Sequence, residues 1–122
     1  MKKVLIADDD FISLEVLKAM LSAFPVEVIA VSNGTDALTQ ARDAQPDLCI
    51  LDYEMDDMTG AEVCATLRAE AAFVETPIVA LTGHQSQTEL DRCRSAGMNQ
   101  TLHKPVAPDA LEQLLSTHNL LP

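Results

Sequence analysis

The sequence predicts an α/β domain built on one parallel sheet, and two observations carry this. Short β-branched apolar runs alternate with longer amphipathic stretches along the whole chain, and three of the runs are apolar throughout. Strands covered by helices on both faces read that way, and regular strand–helix alternation implies right-handed crossovers. Length agrees: 122 residues suit one core of the usual ~100–150-residue size, so residues 1–122 are expected to form a single domain.

The strand candidates are Val4-Leu5-Ile6-Ala7, residues 26–31, Leu48-Cys49-Ile50-Leu51, Ile78-Val79-Ala80-Leu81 and the weaker Gln100-Thr101-Leu102-His103. Between them, apolar residues recur at helical spacing. Phe11, Leu14, Leu17, Met20, Leu21 and Phe24 form the first stripe, expected to pack in the core up to Pro25. Ala37, Leu38 and Ala41 form the second, and Val63, Cys64 and Leu67 the third. Leu111, Leu114 and Leu115 mark the last helix. Helix starts are written in the punctuation. Asn33-Gly34 opens the second helix, and Thr59-Gly60-Ala61-Glu62 has the reciprocal pattern of a capping box. Ser86 to Glu89 repeats that pattern before the fourth. Gly97 stands where a helix end needs a left-handed residue, and Pro108 suits the first turn of the fifth helix.

Composition narrows the function. Nineteen acidic against eight basic side chains give a net charge of −11. Nucleic acid and anionic membranes both attract clustered Lys and Arg, so neither is the expected direct partner. A basic partner protein or a cation suits the charge. Cys49, Cys64 and Cys93 are odd in number and lack metal spacing, which reads as reduced, buried packing in a cytoplasmic protein. His84, His103 and His118 lack zinc spacing and are expected in surface or loop roles.

In a parallel sheet the carboxyl ends of the strands share one edge, where ligands bind. The first strand runs into Asp8-Asp9-Asp10, the third into Asp52, the fourth into Thr82 and the fifth into Lys104-Pro105. Side chains distant in sequence thus converge. Two carboxylates 4 Å apart repel by roughly 4 kcal/mol at an effective dielectric of 20. Asp8, Asp9 and Asp52 together therefore call for more positive charge than Lys104 brings. A divalent cation with oxygen ligands, Mg²⁺ above all, meets that need. Asp10 is expected to cap the first helix or stay solvated instead.

These segments resemble the receiver domain of two-component response regulators. The likeness rests on residues 4–10, Leu51-Asp52-Tyr53-Glu54-Met55 through Gly60, Ala80-Leu81-Thr82-Gly83 and His103-Lys104-Pro105, and it spans essentially the whole chain. It implies a flavodoxin-like doubly wound sheet in the order 2-1-3-4-5. It also implies a role for each matching residue. Asp52 is the phosphoacceptor. Asp9 holds Mg²⁺ directly (Mn²⁺ can substitute), Asp8 holds it through water, and Asp52 and the backbone carbonyl of Glu54 complete the protein ligands. Thr82 turns its hydroxyl toward the phosphoryl group, and Lys104 pairs with a phosphoryl oxygen. The phosphoryl group comes from a sensor histidine kinase or a histidine-phosphotransfer protein, and a conformational shift then changes binding to a downstream target protein. Such a module is not a turnover enzyme; it catalyses only its own phosphorylation and dephosphorylation.

The sequence departs from the family in two places. Thr101 stands where an aromatic residue normally precedes the lysine by three positions, so the usual coupling of hydroxyl to ring is absent in its ordinary form. Asp56 stands where proline usually follows the acceptor by four, and Asp56 and Asp57 are expected to be a solvated loop. Glu54 and His84 flank the site and are expected to affect phosphoryl lifetime. Two other classes share parts of the pattern. Asp52-x-Glu54 faintly resembles the aspartyl nucleophile of haloacid-dehalogenase-type phosphohydrolases, but their nucleophile follows the first strand, not the third. A flavin-binding electron carrier would need a phosphate loop that these turns lack. Whether the domain stands alone or belongs to a hybrid kinase or longer regulator stays open, as does its oligomeric state.

Overall fold

The computed structural model describes residues 1–83 and 86–122. Strands and helices alternate from end to end: β1 (Lys2–Ala7), α1 (Phe11–Leu21), β2 (Val26–Val31), α2 (Gly34–Ala44), β3 (Leu48–Asp52), α3 (Gly60–Arg68), β4 (Ile78–Thr82), α4 (Gln87–Ala96), β5 (Gln100–His103) and α5 (Pro108–Thr117). All neighbouring strands pair in parallel, in the order β2-β1-β3-β4-β5. This is the flavodoxin-like order.

Alternation along the strands divides the core into two layers. Val4, Ile6, Leu48, Ile50, Val79 and Leu81 face α1 and α5, where they meet Leu14, Leu17, Leu111, Leu114 and Leu115. Leu5, Ala7, Cys49, Leu51 and Ile78 face the other way, onto Ala37, Ala41, Val63, Cys64 and Leu67 of α2 and α3. Ala80 packs with Cys93 of α4. Every residue of β3 and β4 is buried. That explains why these strands read as unbroken apolar runs instead of alternating ones. The three cysteines are free and buried, as expected, and burial pushes the Cys49 thiol up to about 12. Among the described residues no helix is long and apolar enough to cross a membrane.

The caps carry out much of the punctuation. Asn33 and Ser86 each accept from the backbone N–H three residues on, and Thr59 with Glu62 forms the complete capping box. The glutamate of the Ser86 pattern does not reach back, so that site is a simple N-cap. Gly97 takes the left-handed conformation at φ 99°. α1 differs from expectation at both ends. It stops at Leu21, with Ser22 as its cap, so Phe24 lies in the turn and only partly packs on the core. Phe11 does not belong to the core stripe; it is 72% exposed, because the first helical residue faces away from the sheet.

Candidate functional site

Backbone pairing continues past the strand ends, so the convergent side chains rest on the sheet itself. The Asp8 N–H donates to the Val31 carbonyl at 3.2 Å, Tyr53 N–H to Leu81 at 2.8 Å, and Lys104 N–H to Thr82 at 2.8 Å. Asp52 closes β3 opposite Leu81, and Thr82 closes β4 opposite His103. The ends of β3, β4 and β5 therefore bring Asp52, Thr82 and Lys104 to one cleft of about 260 Å³, whose wall also includes Asp9, Asp10, Tyr53 and Glu54. Five of the six sequence-predicted site residues, all but Asp8, line this cleft directly. Asp8 lies beneath, 1% exposed, and reaches Lys104.

Charge balance is the central physical feature. Lys104 Nζ lies 2.9 Å from Asp8 Oδ2 and 3.2 Å from Asp52 Oδ2. One ammonium thus serves two buried carboxylates, with Asp9 at the rim as a third. Burial, reinforced by a hydrogen bond and charge from Asp8, raises Asp52 to about 7 despite the opposing pull of Lys104. Asp9 is raised too, by burial first and then by the charges of Asp56 and Asp8. Burial pulls Lys104 down, but its bonds and charges toward Asp8 and Asp52 outweigh that and leave it raised.

The donor set fits a small hard cation. Asp8, Asp9 and Asp52 each offer an oxygen, and all three oxygens lie within 4.8 Å of one another. Asp8 Oδ2 has no aligned hydrogen-bond donor despite its short approach to Lys104, and the buried Thr82 Oγ1 has no partner among the described residues. Carboxylate oxygens around an uncompensated negative centre are what Mg²⁺ binds, with waters completing its shell. Glu54 is exposed at the cleft wall, and its side chain is not part of the carboxylate cluster. Asp10 caps α1, as expected. Its carboxylate accepts from Ile12 N–H at 3.2 Å and from the Ser13 hydroxyl at 3.0 Å, capping α1.

Sequence reasoning missed Asp57. It is not a freely solvated loop residue. Its carboxylate accepts from Gly34 N–H at 2.8 Å, Thr35 N–H at 2.9 Å and the Thr35 hydroxyl at 2.7 Å. Those bonds hold its carboxyl down at about 2. The partners lie more than twenty residues upstream, so no local pattern signals them. Tyr53, only 5% exposed beside Asp52, was also not singled out. Asp56 is exposed, in keeping with the solvated reading. His84, expected to flank the site, lies outside the described residues. His103 is exposed, whereas His118 is half-buried at the end of α5, its Nε2 without a partner among the described residues.

Comparison with known proteins agrees with this geometry. The family model for the response regulator receiver domain matches residues 4–116. The chain is 28% identical over 116 residues to the polar-differentiation response regulator DivK of Brucella anthropi, covering 94% of each. Its fold superimposes on the chemotaxis response regulator CheY4 of Vibrio cholerae with a TM-score of 0.89 at 30% identity, covering 97% of this chain and 98% of that one. The receiver domain of the sensor histidine kinase PA1611 of Pseudomonas aeruginosa matches with a TM-score of 0.89 at 28% identity over 95% of each chain. That structure has a magnesium ion coordinated in its active-site cleft. An acidic pocket at the sheet's carboxyl edge, on this fold and with this match, places the chain in the response regulator receiver domain family: it is a module of two-component signalling and not a classical enzyme.

Proposed function

We propose that Asp52 accepts a phosphoryl group and that Asp8, Asp9, Asp52 and the Glu54 backbone carbonyl hold the Mg²⁺ that this step requires. The observation that carries the reading is a buried carboxylate at the end of the third strand, 3.2 Å from an ammonium and ringed by two further acids. In the transfer, a carboxylate oxygen of Asp52 bonds to phosphorus while the bond from phosphorus to the donor breaks, and the donor group leaves with the electron pair. Lys104 is already within reach of Asp52, and from there it can pair with a phosphoryl oxygen. The Thr82 hydroxyl, without a partner among the described residues, can donate to another. Bound Mg²⁺ would supply the remaining positive charge that a transferring phosphoryl group requires. Mn²⁺, with a similar preference for oxygen, is expected to substitute.

The donor is a phosphohistidine on a sensor histidine kinase or a histidine-phosphotransfer protein. Its imidazole has to come within bonding distance of Asp52, so the donor domain sits on the cleft rim. One side of that rim is apolar. Ile12, Val16, Leu17, Met20, Pro105 and Val106 line a groove of about 280 Å³ that ends at Asp8 and Lys104, and Phe11 stands exposed beside it. This is the surface on which we place the donor domain.

The test is incubation with Mg²⁺ and a small acyl phosphate, followed by intact-mass analysis. A single phosphoryl increment is expected in the wild type and none in Asp52→Asn. Labelling of the variant at wild-type yield, or labelling unaffected by a chelator, would overturn the assignment.

A further inference from the structure

The segment between β3 and α3, residues 53–59, carries Glu54 past the metal site, and the proline usual at position 56 is absent. Proline would stiffen this loop by fixing one backbone dihedral. Here the loop is held by non-covalent pins instead. At its base, Gly60 N–H donates to the Tyr53 carbonyl at 2.8 Å. In its middle, Met55 is buried in the core layer that Ala37 and Ala41 of α2 also join. At its tip, Asp57 accepts three hydrogen bonds from the first turn of α2.

We infer that Asp57 is a positioning residue for the metal site, a clamp that fixes the acceptor loop to the N-terminus of α2 and so holds the Glu54 backbone where a divalent cation binds. The inference rests on the reading of Asp8, Asp9, Asp52 and Glu54 as the Mg²⁺ site.

Accounting for the free N–H groups of α2 shows how complete the clamp is. A helix begins with N–H groups that have no partner inside the helix. Asn33 takes the one at Asp36 (2.7 Å) and leaves those at Gly34 and Thr35. The single carboxylate of Asp57 takes both, and its charge sits favourably on the helix dipole. Shape reinforces the bonds. A Cβ built on Gly34 would meet the Met58 side chain and lie 3.2 Å from Asp57 Oδ1, so glycine lets the loop approach without displacing either. An acid at 57 and a glycine at 34 are thus two halves of one contact. Groups that orient a metal's ligands from behind typically change metal affinity by 10–100-fold when removed.

Asp57 also adds negative charge near the cation, and the experiment has to separate charge from position. Asp57→Ala removes all three bonds. Asp57→Asn removes the charge but leaves an oxygen to accept from Gly34. Asp36→Asn removes an equal charge from the same acidic depression and leaves the clamp in place. The measurements are Mg²⁺ binding by titration calorimetry, hydrogen exchange at Gly34 and Thr35, and the Mg²⁺ dependence of labelling by a small acyl phosphate. A positioning role predicts a roughly 10-fold weaker Mg²⁺ midpoint in Asp57→Ala. Asp57→Asn should show a smaller loss, and Asp36→Asn should show little. The maximal labelling rate should return at saturating Mg²⁺, and amide exchange at Gly34 and Thr35 should speed up in Asp57→Ala. Equal losses in all three variants, or an unchanged midpoint in Asp57→Ala, overturn the clamp while leaving the receiver reading intact. Should Asp57→Ala fail to fold, the comparison of Asp57→Asn with Asp36→Asn decides alone, and equality sinks the clamp. A wild type that neither binds Mg²⁺ nor takes up label overturns the receiver reading and the clamp with it.

Discussion

Replacing Asp52 by asparagine removes one of three negative charges gathered around a single ammonium, and the metal-free domain should become more stable. Asp52 is raised from 3.8 to about 7, with burial the largest cause. Three units at about 1.4 kcal/mol each give roughly 4 kcal/mol as an upper bound. Solvent reaches the cleft through Lys104, whose side chain is 24% exposed, so screening reduces this to about 2 kcal/mol. For a domain of this size that corresponds to a rise of roughly 5–10 °C in Tm. The pH dependence carries its own sign. Between about pH 4 and pH 7 folded Asp52 keeps its proton while the unfolded group has lost it, so wild-type stability falls as pH rises through that window. The advantage of the variant is therefore full above pH 7 and vanishes toward pH 4. Excess Mg²⁺ narrows the gap, because binding at 100 times Kd stabilises the wild type by about 2.7 kcal/mol and the variant by less. Urea unfolding followed by circular dichroism, at pH 8 and pH 5 with chelator or with Mg²⁺, measures all four corners. A metal-free Asp52→Asn protein less stable than wild type at pH 8, or a gap that ignores pH, would refute the reasoning.

Further perturbations test other parts of the site. Mg²⁺ affinity should fall steadily as pH drops below about 7, because protons compete for Asp52 and Asp9, and calorimetry at pH 8, 7 and 6 reads the change. Lys104→Met should destabilise the metal-free domain by about 3 kcal/mol by leaving Asp8 and Asp52 without their counter-charge, with the loss visible in urea midpoints. Gly60→Ala would place a Cβ 2.6 Å from the Asp52 carbonyl oxygen, so it should cost about 2 kcal/mol and slow labelling, whereas Ala61→Gly should leave the acceptor strand in place. Ile12→Ser with Val16→Ser should leave thermal stability within about 0.5 kcal/mol and small-donor labelling unchanged, yet slow transfer from a phosphohistidine protein. Equal rates from both donors would move the docking surface elsewhere.

The fold was legible because its signals are local and agree with one another. β3 and β4 read as apolar runs since both faces are covered, and Asn33, Thr59 and Gly97 mark helix ends through bonds that span a few residues. The site was legible because strand ends in a parallel sheet share an edge, which makes position along the chain a guide to position in space. What escaped was non-local or depended on helix phase. The partners of Asp57 lie across another crossover, and the composition of an acidic loop says nothing about them. Phe11 fits the apolar period of α1 yet points outward, because periodicity specifies a stripe and not where the sheet ends beneath it. The pairing of Lys104 with carboxylates, in advance of any phosphoryl group, follows from distances that spacing cannot give.

The strain at the acidic edge and the rigidity below it belong to one arrangement. Three carboxylates converge on one ammonium, which would scatter a loose loop, but β3 and β4 are buried at every residue and hold the ends of their strands fixed. The repulsion is therefore relieved not by movement of the strands but by a proton on Asp52 or by a cation that enters. On the proposed reading, phosphorylation of Asp52 brings new negative oxygens to the same point, and Thr82 and Lys104 share the cleft with them. In this chain Thr82 has no ring three residues before Lys104 to displace, since Thr101 is a small, half-buried side chain. On the proposed reading, a response at Thr82 has to pass through what touches β3. That leaves Tyr53 packed against Ala80 and Cys93 on the α4 side, and the Asp57 clamp on the α2 side. Filling the Thr101 position with tyrosine should therefore leave labelling of Asp52 intact while changing amide exchange in α4 and β5 on phosphorylation. An exchange pattern identical to wild type would show that the missing ring has no part in how this domain responds.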